Sequence, residues 1–166
     1  MALSFLPTII TESITDLTPE LLRQKKIQLL MLDFDNTIVP YTTDIPTEQM
    51  SRWLQEMSRS DVTICIVSNS KRNRVPEFCE KYGLECITHA RKPFSKGIRQ
   101  CLNKYGIPAE NAALAGDQIY TDTLGANCAG IRSILVTAID NHNIWLKLRH
   151  VAEMPFILAA KNRRLK

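Results

Sequence analysis

The sequence predicts an α/β fold, a single Rossmann-like, doubly wound parallel sheet with helices on both faces. Two observations carry this expectation. Five short runs, Ile27 to Phe34, Val62 to Val67, Glu85 to Thr88, Ala112 to Ala115 and Ser133 to Val136, are apolar on both faces, as strands of a buried parallel sheet are. Three intervening segments repeat apolar residues at i, i+3, i+4 and i+7, the stripe of an amphipathic helix. Strands alternating with helices imply crossover connections, and ligands then collect at the carboxyl ends of the strands.

In chain order, the first run is followed by Met50, Trp53, Leu54 and Met57 on one helical face, with Thr47 placed to cap it just after Pro46. The second run leads to Val75, Phe78, Cys79 and Tyr82, closed by Gly83 as a C-cap glycine. The third leads to Ile98, Cys101, Leu102 and Tyr105, with Ser95 in the N-cap position after Pro93 and Gly106 at the end. The last two runs complete the sheet. No repeat or internal linker interrupts them, and the whole chain, 1–166, reads as one domain.

At 166 residues and 18.9 kDa the chain is long enough to bury one substantial core. With 45% hydrophobic and 23% charged residues it has the balance of a globular protein, which excludes global disorder. Its apolar runs are too short to span a bilayer. The segment Met1 to Ile10 has no basic residue ahead of its apolar stretch, so a secretory leader is not expected. Cys65, Cys79, Cys86, Cys101 and Cys128 are odd in number and form no C-x-x-C pair, a pattern suited to a reducing cytoplasm rather than to disulfides or zinc.

The net charge of +4 is unevenly placed. Residues 143–166 carry Lys147, Arg149, Lys161, Arg163, Arg164 and Lys166 against Glu153, a segment charge of +5, so the rest of the chain sums to −1. A basic tail on a near-neutral body gives no reason to expect a nucleic-acid partner.

Four short segments hold the candidate chemistry. Asp33-Phe34-Asp35-Asn36-Thr37 follows the first strand directly, and alternation at a strand end puts both carboxylates on one side. Such a pair suits a nucleophile and a general acid/base, although an Asx-type turn uses the same residues. Gly116-Asp117 with Thr121-Asp122 follows the fourth strand and adds two acids at the same edge, a set of hard oxygens suited to magnesium; taken alone it reads as a turn and a helix cap. Ser68-Asn69-Ser70 ends the second strand and offers a hydroxyl and amide groups to an anion, or a simple N-cap. Lys92, after the third strand in His89-Ala90-Arg91-Lys92-Pro93, is either a phosphate ligand or solvated surface.

Together, Asp33-x-Asp35-x-Thr37, Ser68, Lys92 and Gly116-Asp117-x-x-x-Thr121-Asp122 resemble the four ordered motifs of the haloacid dehalogenase (HAD) superfamily. Their details are similar to the YqeG-type phosphatases of subfamily IIIA, relatives of mitochondrial phosphatidylglycerophosphate phosphatases. The resemblance implies a HAD-like sheet and a magnesium-dependent phosphomonoester hydrolase. Asp33 would be the nucleophile that becomes an aspartyl-phosphate, and Asp35 the acid/base. Ser68, Asn69 and Lys92 would hold the transferring phosphoryl group. Magnesium would be held by the Asp33 carboxylate, the Asp35 carbonyl and Asp117, with Thr37 and Asp122 in support.

Only 33 residues separate Asp35 from Ser68 and 24 separate Ser68 from Lys92, so no cap domain fits. In such a family an uncapped site favours a bulky phosphate monoester, with a phospholipid at an anionic membrane surface as the expected partner and phosphatidylglycerophosphate as its best analogue; a soluble or protein-borne phosphate is the alternative, and a non-catalytic scaffold the option from another class. The chain is then cytoplasmic, with peripheral membrane attachment open. The sequence leaves the oligomeric state undetermined. Ile144, Trp145, Leu146 and Leu148 within the basic segment could meet lipid, or the segment could be a final helix broken by Pro155 and packed on the core. Phe5, Leu6, Pro7, Ile9 and Ile10 pose the same choice.

Overall fold

The computed structural model describes residues 4–140 and 154–160. Six parallel strands form one sheet: β1 (Ile9–Ile10), β2 (Leu29–Leu32), β3 (Thr63–Val67), β4 (Glu85–Ile87), β5 (Ala112–Gly116) and β6 (Arg132–Leu135), in the spatial order β1-β6-β5-β2-β3-β4. The helices are α1 (Pro19–Gln24), α2 (Glu48–Ser58), α3 (Arg74–Tyr82), α4 (Lys96–Tyr105) and α5 (Leu124–Ala129). The expected α/β sheet is therefore present, with one strand more than the apolar runs suggested.

Pleating sorts the core into two layers. Leu30, Leu32, Ile66, Ala113 and Ala115 pack with α2, α3 and the N-terminal Ile14, Leu17 and Leu22. Leu29, Met31, Cys65, Val67, Ala112 and Leu114 pack with Ile98 and Cys101 of α4 and Ala126 and Ala129 of α5. Successive residues of β2 thus face opposite layers, which is why that run is apolar throughout. All five cysteines are free thiols.

Local sequence explains most helix ends. Thr47 Oγ1 accepts from the Met50 amide at 3.2 Å and caps α2 as expected, and Gly83 and Gly106 close α3 and α4 in the left-handed region (φ +65° and +63°) that glycine enters without a Cβ clash. Ser95 does not cap α4: its backbone is already helical, and its hydroxyl accepts from Arg99 Nε at 3.2 Å. Thr18 caps α1, with Pro19 in the first turn.

The N-terminal stretch is corrected in part. Ile9 and Ile10 form an edge strand, fixed on β6 by the Thr8 and Thr11 amides, which donate to the carbonyls of Ser133 and Leu135 at 3.0 Å each. They therefore do not form a free apolar contact. Phe5 packs instead on Phe156 at a centroid distance of 5.1 Å. Phe156 lies in a helix over 154–160, and Pro155 occupies its first turn rather than breaking it. Most of the basic segment 143–166, including Trp145, lies outside the described residues.

Only α2 fills the interval from β2 to β3 and only α3 that from β3 to β4, so no cap is inserted there. The chain leaves β2 toward β3 on one side, whereas β5 leads to β6 on the other. The winding direction reverses between β2 and β5, and a crevice opens beyond their carboxyl ends, where ligands of doubly wound sheets bind. Asp33 and Asp117 are the first residues past those two strands.

Candidate active site

At the switch point Lys92 reaches between two carboxylates, with Nζ 2.6 Å from Asp33 Oδ1 and 2.7 Å from Asp122 Oδ1. Asp117 joins them: Asp33, Asp117 and Asp122 each present a carboxylate oxygen, and these oxygens lie within 4.8 Å of one another. All four residues are buried. Lys92 therefore does not belong to the solvated surface. Burial opposes its charge, but Asp122 and Asp33 outweigh that penalty and hold its pKa above the ordinary lysine value. Burial, reinforced by Asp33 and Asp117 and opposed by Lys92, pushes Asp122 up to about 7. Three carboxylates face one ammonium, so the cluster is short of positive charge. Hard oxygens so gathered are a donor set suited to a divalent cation.

Chain geometry around this cluster is specific. Asp122 lies in a π-type turn, Ile119–Thr123, that brings its Oδ2 within 3.1 Å of the Gln118 amide, which donates to it. Its carboxylate folds across Gly116 so closely that a Cβ there would collide with it. The segment before Lys92 has His89 and Arg91 at φ +54° and +57°, a conformation that side chains disfavour. It is held from the neighbouring strand end: the His89 and Ala90 amides donate to the carbonyls of Ser70 and Ser68, and the Lys92 amide donates to Asn69 Oδ1 at 2.7 Å. Asn69 Nδ2 returns a bond to the Lys92 carbonyl at 2.9 Å. The Asn69 side chain thus clamps the lysine loop, which leaves its backbone for any contact with an anion. Ser68 is buried, and its Oγ accepts from the Ser70 amide at 3.0 Å. Thr37 is buried in the turn after Asp35, its amide donating to the Phe34 carbonyl at 3.4 Å.

The two leading aspartates have different partners. Asp35 is half-buried, and its Oδ1 accepts from Arg74 Nη1 at 3.0 Å. Burial raises its pKa; Arg74 lowers it and Asp33 raises it further. Arg74, the first residue of α3, also donates to Asp44 Oδ1 at 2.5 Å and to the carbonyls of Thr43 and Pro40 at 2.8 and 3.3 Å. Its guanidinium lies 5.1 Å from the centroid of the Phe34 ring. One arginine therefore ties the loop after Asp35 to both Asp35 and the start of α3. Asn36, at φ +65°, exchanges two 2.8 Å bonds with the backbone of Asp140 and so ties the turn after β2 to the loop after β6. Sequence reading missed both roles. An asparagine in a tight Asp-x-Asp turn is a faint signal for the second, and Arg74 carries no sequence signal for the first.

A family model described as HAD-hydrolase-like matches residues 89–143. The chain is also 33% identical over 135 residues to "Probable phosphatase YqeG" of Bacillus subtilis (strain 168), covering 81% of this chain and 78% of that protein. The chain belongs to the HAD superfamily of phosphatases, in its YqeG branch. Solved HAD structures share the fold at low identity. The cobalt-bound deoxy-D-mannose-octulosonate 8-phosphate phosphatase (YrbI) of Haemophilus influenzae aligns with a TM-score of 0.55 at 10% identity, over 82% of this chain and 91% of that one. The 3-deoxy-D-manno-octulosonate 8-phosphate phosphatase of Moraxella catarrhalis, solved with magnesium ion, phosphate ion and KDO, aligns with a TM-score of 0.51 at 17% identity, over 86% and 97%.

Proposed function

We propose that this HAD phosphatase is a magnesium-dependent phosphomonoester hydrolase working through an aspartyl-phosphate on Asp33. The observation that carries the reading is the buried Asp33–Lys92–Asp122 bridge with Asp117 beside it, at the switch point of the sheet.

Asp33 is the only carboxylate of the cluster that directly ends β2. In the first step its free oxygen attacks phosphorus, the bond from phosphorus to the ester oxygen breaks, and Asp35 passes its proton to the departing alcohol. In the second step Asp35 takes a proton from water as the water oxygen attacks phosphorus; phosphate leaves, and the Asp33 carboxylate and the Asp35 proton are restored. Burial, which favours the protonated form of Asp35, suits it to give the first proton. Lys92, bonded to Asp33 Oδ1, meets charge on the phosphoryl oxygens. Ser68 is the first residue past β3, the neighbour of β2, and its hydroxyl proton has no acceptor among the described residues, so it can donate to the phosphoryl group. Asp33, Asp117 and the Asp35 carbonyl would hold magnesium, with Asp122 in support, and the ion would supply positive charge against the developing phosphoryl charge.

The substrate is a bulky ester that covers the site itself, because α2 and α3 are all that fill the intervals where related enzymes carry caps. Within the YqeG branch, phosphatidylglycerophosphate is the analogue of choice, and the chain acts from the cytoplasmic side. Phosphate release from phosphatidylglycerophosphate in mixed micelles and from p-nitrophenyl phosphate, with and without magnesium, tests the reading. Metal-dependent release abolished in Asp33→Asn is expected. No hydrolysis across a broad panel of esters with magnesium present would remove the catalytic reading and leave a binding protein.

A further inference from the structure

Seven large hydrophobic side chains are exposed among the described residues: Tyr41, Ile45, Phe94, Tyr120, Ile139, Met154 and Leu158. The first five all lie in loops at the carboxyl edge of the sheet. Tyr41 and Ile45 belong to the loop that Arg74 holds beside Asp35. Phe94 is two residues beyond Lys92, and Tyr120 lies between Asp117 and Asp122. The Ile139 amide donates to the Asn36 carbonyl at 3.0 Å. The helix over 154–160, which carries Met154 and Leu158, stands beside this edge because Phe156 packs on Tyr120 at 6.4 Å. No exposed large hydrophobic is found in the described loops at the opposite edge. Ile45 and Phe94 are the most exposed, at 71% and 73%.

We infer that this crown of apolar side chains docks the mouth of the active site onto an anionic lipid surface. Scattered single hydrophobics are ordinary on a protein surface, but their segregation to one edge is not. The crown consists of separate side chains projecting from four loops and one helix rather than a groove, which suits a fluid interface better than a folded partner. Its charge points the same way. Lys71 and Arg72 are exposed in the loop after β3, and Arg91 and Lys96 on either side of Phe94; of the exposed acids at this edge, Asp44 is paired with Arg74 and Glu48 with Arg52, and Glu12 and Asp16 lie after β1 at the far end of the sheet. Basic residues beside protruding Phe, Tyr and Ile match anionic headgroups above an acyl layer. The crown deepens the lipid-ester reading, since docking this edge turns the uncapped site toward the headgroups. Docking itself needs no catalysis.

Sedimentation of the full chain with vesicles of phosphatidylcholine alone, or mixed with phosphatidylglycerol, tests it without magnesium or any phosphate monoester. Wild type and Asp33→Asn are expected to bind the anionic vesicles equally, and the neutral ones weakly. The double variant Ile45→Ser/Phe94→Ser should lose about tenfold or more in partitioning, the worth of withdrawing one or two apolar side chains from the interface. Its hydrolysis of soluble p-nitrophenyl phosphate should be unchanged, which shows that it is folded. Wild type that ignores anionic vesicles, or a double variant that binds as wild type does, would overturn the proposal, including the case in which the basic tail alone carries binding. Loss of turnover in Asp33→Asn with intact vesicle binding separates this inference from the catalytic one.

Discussion

Replacing Arg74 with alanine removes one guanidinium that serves Asp35, Asp44 and two backbone carbonyls at 3.3 Å or less. Its side chain is only 12% exposed, whereas Asp35 is 21% and Asp44 55% exposed. Breaking a fully buried ion pair by deleting one partner costs about 3–5 kcal/mol, and exposed pairs are worth about 0–1 kcal/mol. The Asp35 pair falls between these limits, at about 1–2 kcal/mol. The two carbonyls that lose a donor add about 0.5–1 kcal/mol each, since water can reach them. The total is about 3 kcal/mol, or roughly 6–12 °C in Tm for a domain of this size, read by calorimetry. The same change releases the loop after Asp35 and the carboxyl group proposed to deliver the proton. General acid catalysis contributes about 10²–10⁴ in rate, so partial loss of its positioning lowers kcat for p-nitrophenyl phosphate by about 10- to 100-fold while KM moves little. Arg74→Lys restores one charge but not the fork, so it recovers part of the stability and little of kcat. A kcat within about twofold of wild type in Arg74→Ala, despite the fall in Tm, would refute a positioning role and leave Arg74 as a loop staple; an unchanged Tm would refute the energetic reckoning as well.

Asn69→Ala removes both bonds to the Lys92 backbone, and a cost of about 1–3 kcal/mol by urea unfolding is expected, with a drop in kcat larger than that in Asp44→Ala, which leaves the lysine loop intact. Gly116→Ala forces a Cβ into the Asp122 carboxylate, and activity should fall at least tenfold while circular dichroism shows a folded protein. Magnesium at about 100 times its Kd should stabilise the wild type by about 2.7 kcal/mol in thermal unfolding, and Asp117→Ala should abolish that increment; an equal increment in the variant would take Asp117 out of the ion's ligands.

The fold was legible in the sequence wherever an element is buried on a regular period. β2, β3 and β5 are apolar throughout because each lies between two helical layers, and α2, α3 and α4 present one stripe to the sheet. Three elements, β1, α1 and α5, escaped because they are short. β1 is two residues long and has meaning only as pairing with β6, and α5 spans six residues, too few for a stripe. The signals for the N-terminal turns were local and present: Ser13 and Asp16 form a reciprocal capping box, and Thr18 caps α1 ahead of Pro19. Ser95 shows the opposite case, a cap residue whose backbone had already turned helical.

By itself the sequence determined the layered α/β class and the four strand-end segments that carry acids, hydroxyls and a lysine, because alternation, helical period and turn chemistry are written in neighbouring residues. Which of those side chains meet was decided by the tertiary structure. Lys92 and Asp33 are 59 positions apart and become bonded only because β2 pairs with β3 and β5 and the Asn69 clamp turns the lysine loop inward. The split between Asp33, drawn into the lysine bridge, and Asp35, drawn to Arg74, was likewise settled by partners distant in sequence. So was the gathering of Tyr41, Ile45, Phe94, Tyr120 and Ile139 at one edge. Single exposed hydrophobics leave no periodic trace along a chain, and only the common direction of the parallel strands puts their loops on the same side.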